Sequence, residues 1–155
     1  MTKTISITFA AAFATVLAAA PAFAADDAFS AADKAAIFKA AGFKLKGGKQ
    51  VRCEDDVTAS YMAGFIEAAD LNGDGANEAF VRESSSFCYG ATAEAFVLVA
   101  KTAKGEWTAI LDQVGMALVL DTKAKNGWKD IEVGGPGMGP FPKFRYNGTK
   151  YVVKK

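Results

Sequence analysis

Asp70, Asn72 and Asp74 stand at alternate positions, Gly75 comes directly after them, and Glu78 lies four residues beyond Asp74. Ca²⁺ takes about six to eight oxygen ligands, and short acidic side chains alternating through a tight loop can aim theirs at one point. Gly75 permits the turn around an ion, Ala76 can lend its backbone carbonyl, and Glu78 can close the set. The metal site this pattern offers is therefore Asp70, Asn72, Asp74, Ala76 and Glu78, holding a weakly bound Ca²⁺. It points to no reaction. The competing reading is an Asx-rich turn that satisfies its own backbone with no ion. Both stay open, because the bidentate Glu of an EF-hand belongs at position twelve, here Val81.

Beyond Glu78 the chain continues as the β-like run Ala79-Phe80-Val81-Arg82, not as a helix. The segment resembles the Asp-x-Asn-x-Asp-Gly-x-x-Glu strand–loop–strand sites of FG-GAP and VCBS-type repeats. The pattern occurs once, and a propeller needs several such units, so the resemblance implies the loop and not the repeat architecture.

Other chemistry is narrow. The chain has no histidine, which removes Ser-His-Asp and Cys-His nucleophile systems and the His-containing zinc sites. Two cysteines alone cannot build a Cys₄ site. The glycine-rich stretch Gly134 to Gly139 contains Pro136 and lacks the Lys-Ser/Thr ending of a phosphate loop. Paired carboxylates of the glycosidase kind remain available in composition, from Asp55, Asp56, Glu67, Glu94 and Asp112. No motif supports an enzyme, and a non-enzymatic role is expected.

Residues 1–24 read as a secretory signal. Lys3 supplies a weak positive start to an apolar run, and Ala22-Phe23-Ala24 is a small-x-small cleavage site. Export to the periplasm or beyond is the expectation, with residues 25–155 as a single β-rich domain. Cleavage would remove Lys3 alone, leaving basic and acidic residues in balance. No basic tract stands out, which argues against nucleic acid and anionic membranes as partners, and no later segment reads as a membrane anchor. The Lys-rich run Lys44 to Lys49 is interrupted by Gly47-Gly48 and reads as a solvated turn.

The elements that must carry these groups are one helix and many strands. Ser30 stands as an N-cap with Asp33 at the third position, and an Ala-rich helix runs to about Ala41, where Gly42 stops it. Period-two patterning then places strands at 43–46, 64–69, 79–83, 93–101, 106–111, 116–121, 129–133, 143–146 and 150–154. Lys104-Gly105 and Asn147-Gly148 read as hairpin turns, the latter of type I′. The expected class is α+β: one N-terminal helix followed by a mostly antiparallel β-sheet domain.

In an oxidising compartment Cys53 and Cys88 read as one disulfide. It would close a loop of about 35 residues and contribute about 3 kcal/mol. The loop it pins, Ser84-Ser85-Ser86-Phe87-Cys88-Tyr89-Gly90, is polar and carries an aromatic tip. Ser85, Ser86 and Tyr89 are the candidate partner-binding residues, because Tyr supplies contact area at low entropic cost and serines adapt their hydrogen bonds. A purely structural turn is the alternative. The segment 134–142 is either a second exposed contact, through Met138 and Phe141, or a rigid connector with Phe141 turned inward.

Four stretches together are similar to a broad group of small exported bacterial domains. They are Asp70 to Gly75, Phe87-Cys88-Tyr89-Gly90, Gly127-Trp128-Lys129-Asp130-Ile131-Glu132-Val133, and Tyr146-Asn147-Gly148-Thr149-Lys150-Tyr151. In size, export, β content and single disulfide the chain also resembles periplasmic lysozyme inhibitors, although it lacks their Ser-Gly-x-x-Tyr motif. That resemblance implies a protein or cell-wall-related macromolecule as partner. The expected function is an exported non-enzymatic binding protein, with inhibition of a lysozyme-like hydrolase as its sharpest form. The rivals are a calcium-stabilised structural or envelope-stress protein, and a carbohydrate-active enzyme with Trp107, Trp128 and Tyr146 as its platform.

Overall fold

The computed structural model describes residues 28–137 and 139–154. The expected signal segment with its expected cleavage site, and Met138, lie outside the described residues. Helix α1 (Ala31–Ala40) begins where Ser30 Oγ accepts from the Asp33 amide at 3.1 Å. It ends as the Gly42 amide bonds Lys39 O and the Phe43 amide bonds Phe38 O, the paired bonds of a glycine-terminated helix. Gly42 has φ +79°, which an L side chain would resist.

Strands β1 (Lys44–Lys46) and β2 (Lys49–Val51) form a hairpin. The Lys-rich run is thus more than a solvated turn: only Gly47-Gly48 turns, and the lysines flank it on paired strands. Two consecutive positive-φ residues are what a tight hairpin requires, and two glycines supply them.

The rest is two four-stranded antiparallel sheets. The first holds β3 (Met62–Ala69), β4 (Glu78–Ser84), β5 (Glu94–Lys101) and β6 (Trp107–Val114), in that spatial order. The second holds β7 (Met116–Lys123), β8 (Lys129–Gly134), β9 (Lys143–Tyr146) and β10 (Tyr151–Val153), again as a meander. A four-residue helix α2 (Ser86–Tyr89) and a 3₁₀ turn (Gly90–Thr92) join β4 to β5. Every expected strand overlaps an observed one, and the protein is mostly antiparallel sheet, as expected. The structure adds β2, and it differs at one hairpin. Asn147 flanks the β9–β10 turn instead of sitting at its centre, and its Oδ1 accepts from the Thr149 and Lys150 amides at 3.0 Å each. An Asx side chain that caps the turn wins over the Asn-Gly pairing.

Alternation along β4 and β5 builds two cores. Ala79, Val81, Val97 and Val99 face α1, where Ile37, Ala41 and Phe43 cover them. Phe80, Phe96 and Leu98 face the other way, onto Ile131, Val133, Phe144 and Tyr151 of the second sheet. A strand buried on both faces reads as nearly continuous apolar sequence, as β5 does. Gly115 alone connects β6 to β7, with φ +132°. A Cβ there would lie 2.5 Å from Gly134 O, so the chain can pass between the two sheets only at a residue without a side chain.

Candidate functional site

The strand register assigns the candidate groups to two opposite ends of the first sheet. Ala69 pairs with Glu78, Ala79 with Val99, and Lys101 with Trp107, so the acidic loop, Lys101 and Trp107 share one end. Met62 pairs with Ser84, Ser84 with Glu94, and Ala95 with Val114, so the disulfide-bearing loop lies at the other. The seven residues of β4 separate them, about 20 Å of extended chain.

At the first end the acidic loop is held by its own amides. Asp70 accepts from Gly73 N at 2.6 Å and Gly75 N at 3.1 Å, and the Gly73 bond is the main reason its carboxyl sits below its usual range. Asn72 Oδ1 accepts from Asp74 N at 2.8 Å, and Asp74 Oδ1 from Ala76 N at 2.8 Å. Asn72 Nδ2 donates to Asp74 Oδ2 at 2.9 Å and comes within 3.5 Å of Glu78 Oε1. An amide N–H₂ therefore occupies the point where two carboxylates converge. Glu78 is buried, accepts from Leu71 N at 2.8 Å, and has its pKa raised to about 7 by burial, with Asp74 and Asp70 adding to the rise. Among the described residues no three acidic or cysteine side chains gather as a metal-holding group. The donor set suits a hard cation in kind. Its carboxylate oxygens, however, are already engaged, and a cation would have to draw on Asn72 Oδ1 and the Ala76 carbonyl as well.

The same loop forms one wall of a cleft of about 320 Å³. Phe29 and Asp33 from the start of α1, Lys101 and Trp107 from β5 and β6, and Trp128 form the rest. Asp33 ties the helix to the sheet: Oδ1 accepts from Trp107 Nε1 at 2.8 Å and Lys101 Nζ at 3.0 Å, while Ser30 Oγ donates to Oδ2 at 2.8 Å. These bonds, that from Trp107 first, lower its pKa to about 2. Lys101 Nζ also lies 5.2 Å from the Trp107 ring centroid. Trp128 is brought to the loop by the second sheet, where the Lys129 amide donates to Leu71 O at 2.8 Å. One face of Trp128 stacks on Tyr146, with centroids 4.1 Å apart.

At the second end Cys53 and Cys88 are joined, with Cα atoms 6.2 Å apart. Beneath the disulfide lies Glu83, fully buried. Its carboxylate accepts from the Tyr61 and Tyr89 hydroxyls at 2.5 Å each, from Arg52 N at 2.8 Å, and from Cys53 N. Burial and this carboxylate push both tyrosines above their ordinary pKa. Beside it Asp56, also buried, accepts from Ser85 Oγ at 2.6 Å and from the Thr58 amide and hydroxyl.

Two of the expected partner-binding residues are therefore internal supports. Ser85 is buried, donating to Asp56 and accepting from Cys88 N. Tyr89 is half-buried with its hydroxyl turned in to Glu83. Ser86 is exposed, as expected, and beside it Phe87 stands 66% exposed. Met62 (56%), Val114 (53%) and Met116 (55%) are exposed at the same end. Sequence reasoning missed Glu83 and Phe87, and it offered Asp56 for paired catalysis where the structure has it supporting Ser85 and Thr58. The signal for Glu83 was present: an acid in register with Ala79 and Val81 on the inward face of an apolar strand must find donors.

Of the carboxylates named for paired catalysis, Asp56, Glu67, Glu94 and Asp112 are otherwise engaged. Glu67 and Glu94 both bind Arg82, and Asp112 forms a two-pronged pair with Arg52. None of them lines the cleft. Phe141 is half-buried, with its ring beside Gly134 and Gly139. No helix among the described residues is long and apolar enough to cross a membrane. Comparison with models of known families, with curated proteins and with solved structures finds no match.

Proposed function

We propose that this chain is an exported, non-enzymatic binding protein that captures a protein partner through the disulfide-stapled end. The observation that carries the reading is Phe87: a large apolar side chain, two-thirds exposed, on a loop that cannot easily move. The disulfide, the Ser85–Asp56 bond and the Tyr89–Glu83 bond fix the backbone on both sides of it. A preformed apolar anchor loses little conformational entropy on binding, which is what a tight protein interface asks of its central residue. Met62, Val114 and Met116 extend the contact. Inhibition of a lysozyme-like cell-wall hydrolase, with the stapled loop entering the enzyme's cleft, is its sharpest form. On this reading α1 is an integral layer, and the class is α+β. The acidic loop serves as a calcium-responsive brace for the opposite end and takes no part in the interface.

The test is a binding titration against a panel of cell-wall hydrolases, with inhibition read in parallel. Wild type is expected to bind one of them, and Phe87→Ala to weaken that binding at least tenfold with an unchanged melting temperature. Equal binding by the Phe87 variant moves the interface away from the stapled loop and ends this reading.

A further inference from the structure

We infer that the cleft at the opposite end is a saccharide-binding site, taking a mono- or disaccharide unit against Trp128. The site is independent of the protein interface proposed above, since β4 separates the two. At about 320 Å³ the cleft lies at the small end of ligand-sized clefts. It is assembled from four separate parts of the chain: the start of α1, the acidic loop, the β5–β6 hairpin and the residue before β8.

Its chemistry matches a neutral polyhydroxylated ring better than a charged ligand. Each sugar hydroxyl both donates and accepts, so a site needs acceptors and donors side by side. Asp33, Asp74 and Glu78 provide acceptors through lone pairs beyond the bonds they already make, Lys101 and Asn72 provide N–H groups beyond those they already donate, and Asn77 provides an unengaged amide. An organic ammonium ion is disfavoured because Lys101 already occupies the cation position over Trp107. An anion is disfavoured by three carboxylates against one lysine.

Two groups have no other employment. Among the described residues the Asn77 side-chain amide makes no hydrogen bond, although the residue is half-buried at the cleft wall. The Trp128 indole N–H has no partner either, and it is open to solvent. Tyr146 stacks on one face of Trp128 and Tyr151 meets it edge-on at 6.2 Å, while part of the ring lines the cleft as an apolar surface. An aromatic face beside unpaired polar groups is the arrangement that sugar rings require, since their C–H faces are apolar and their rims are polar.

The chain offers its own reporter. It contains two tryptophans, Trp107 and Trp128, and both line this cleft. Intrinsic fluorescence of the purified chain is titrated with glucose, N-acetylglucosamine and the β-1,4 disaccharide of N-acetylglucosamine, with tetramethylammonium as the cationic comparator. The expected result is a saturable change with at least one sugar and a weaker response to the cation. Asn77→Ala is expected to weaken sugar binding several-fold while leaving the melting temperature unchanged, since Asn77 supports nothing else. Co-sedimentation with insoluble cell-wall glycan supports a polymer source, and binding of the soluble sugars alone supports a free saccharide source. The inference is overturned by the absence of a saturable change with all three sugars, by a stronger response to tetramethylammonium, or by sugar binding that Asn77→Ala leaves intact. Loss of hydrolase binding in Phe87→Ala bears only on the other end.

Discussion

The Tyr89 hydroxyl donates to Glu83 Oε2 at 2.5 Å, so the residue at the tip of the stapled loop is bound to the carboxylate beneath the disulfide. Glu83 is 1% exposed and takes a second tyrosine and two backbone amides as well. A buried carboxylate is tolerable only when its lone pairs are met, and here hydroxyls and amides meet them. The loop's position depends on this cluster as much as on the disulfide.

Removing one donor from that cluster should be costly. Tyr89→Phe is expected to destabilise by about 1.5–3 kcal/mol, the range for hydrogen bonds to charged groups. Tyr61→Phe should behave alike, and Phe87→Ala should change stability by less than about 0.5 kcal/mol. Urea unfolding of the three variants decides the matter. A Tyr89→Phe curve superimposed on wild type would show the cluster to be inert.

Asp130 carries the main acid-sensitive contribution in the second sheet. Fully buried, it accepts from Arg145 Nε and Nη2 at 2.7 Å each, from Thr122 Oγ1 at 2.8 Å and from Lys154 Nζ at 3.1 Å. These bonds, Arg145 first, hold its carboxyl far below the usual range. A depressed carboxylate pKa contributes stability above the unfolded value of about 3.9, and that contribution fades as pH falls from there towards the folded value. Asp130→Asn should cost about 2–3 kcal/mol at pH 7. The gap from wild type should narrow below about pH 4. A gap that stays constant down to pH 2 would contradict the assignment.

Gly115 should be the least replaceable turn glycine. Gly115→Ala places a methyl against Gly134 O and Val133 Cγ1, at 2.5 and 2.9 Å, in a backbone conformation that already disfavours a side chain. A loss of about 2–3 kcal/mol is expected. Gly105→Ala has only the positive φ to overcome, with open space around it, and should cost about 1 kcal/mol. Equal losses in thermal unfolding would mean that the passage between sheets relaxes.

Millimolar Ca²⁺ should raise the melting temperature, and Asp74→Ala should abolish the rise. A ligand that binds only the folded form adds about 2.7 kcal/mol at a hundred times its Kd. Chelator should reverse the shift. An unmoved wild-type transition would leave the loop as a turn satisfied by its own amides.

Much of the local structure was legible because it depends on near neighbours. Ser30 with Asp33, Gly42, the alternation in β4 and β5 and the apolar run of β5 each express a physical rule within a few residues. The acidic loop could be read in the same way, as could its two alternatives, since the Asx side chains and the amides they satisfy lie two to five residues apart. The pairing of Cys53 with Cys88 needed only an oxidising compartment and an even count. What escaped were relationships set by register and by sheet-on-sheet packing. Whether Tyr89 points out or in depends on Glu83, which faces inward because it shares a face of β4 with Ala79 and Val81. Ser85 is buried because Asp56, from a distant turn, packs over it. Trp107 and Trp128 share a cleft only because Lys129 bonds Leu71 and so carries the second sheet onto the acidic loop. None of these contacts is encoded in local spacing. Each arises when two sheets and a helix bury their apolar faces together and bring residues far apart in sequence within hydrogen-bonding distance.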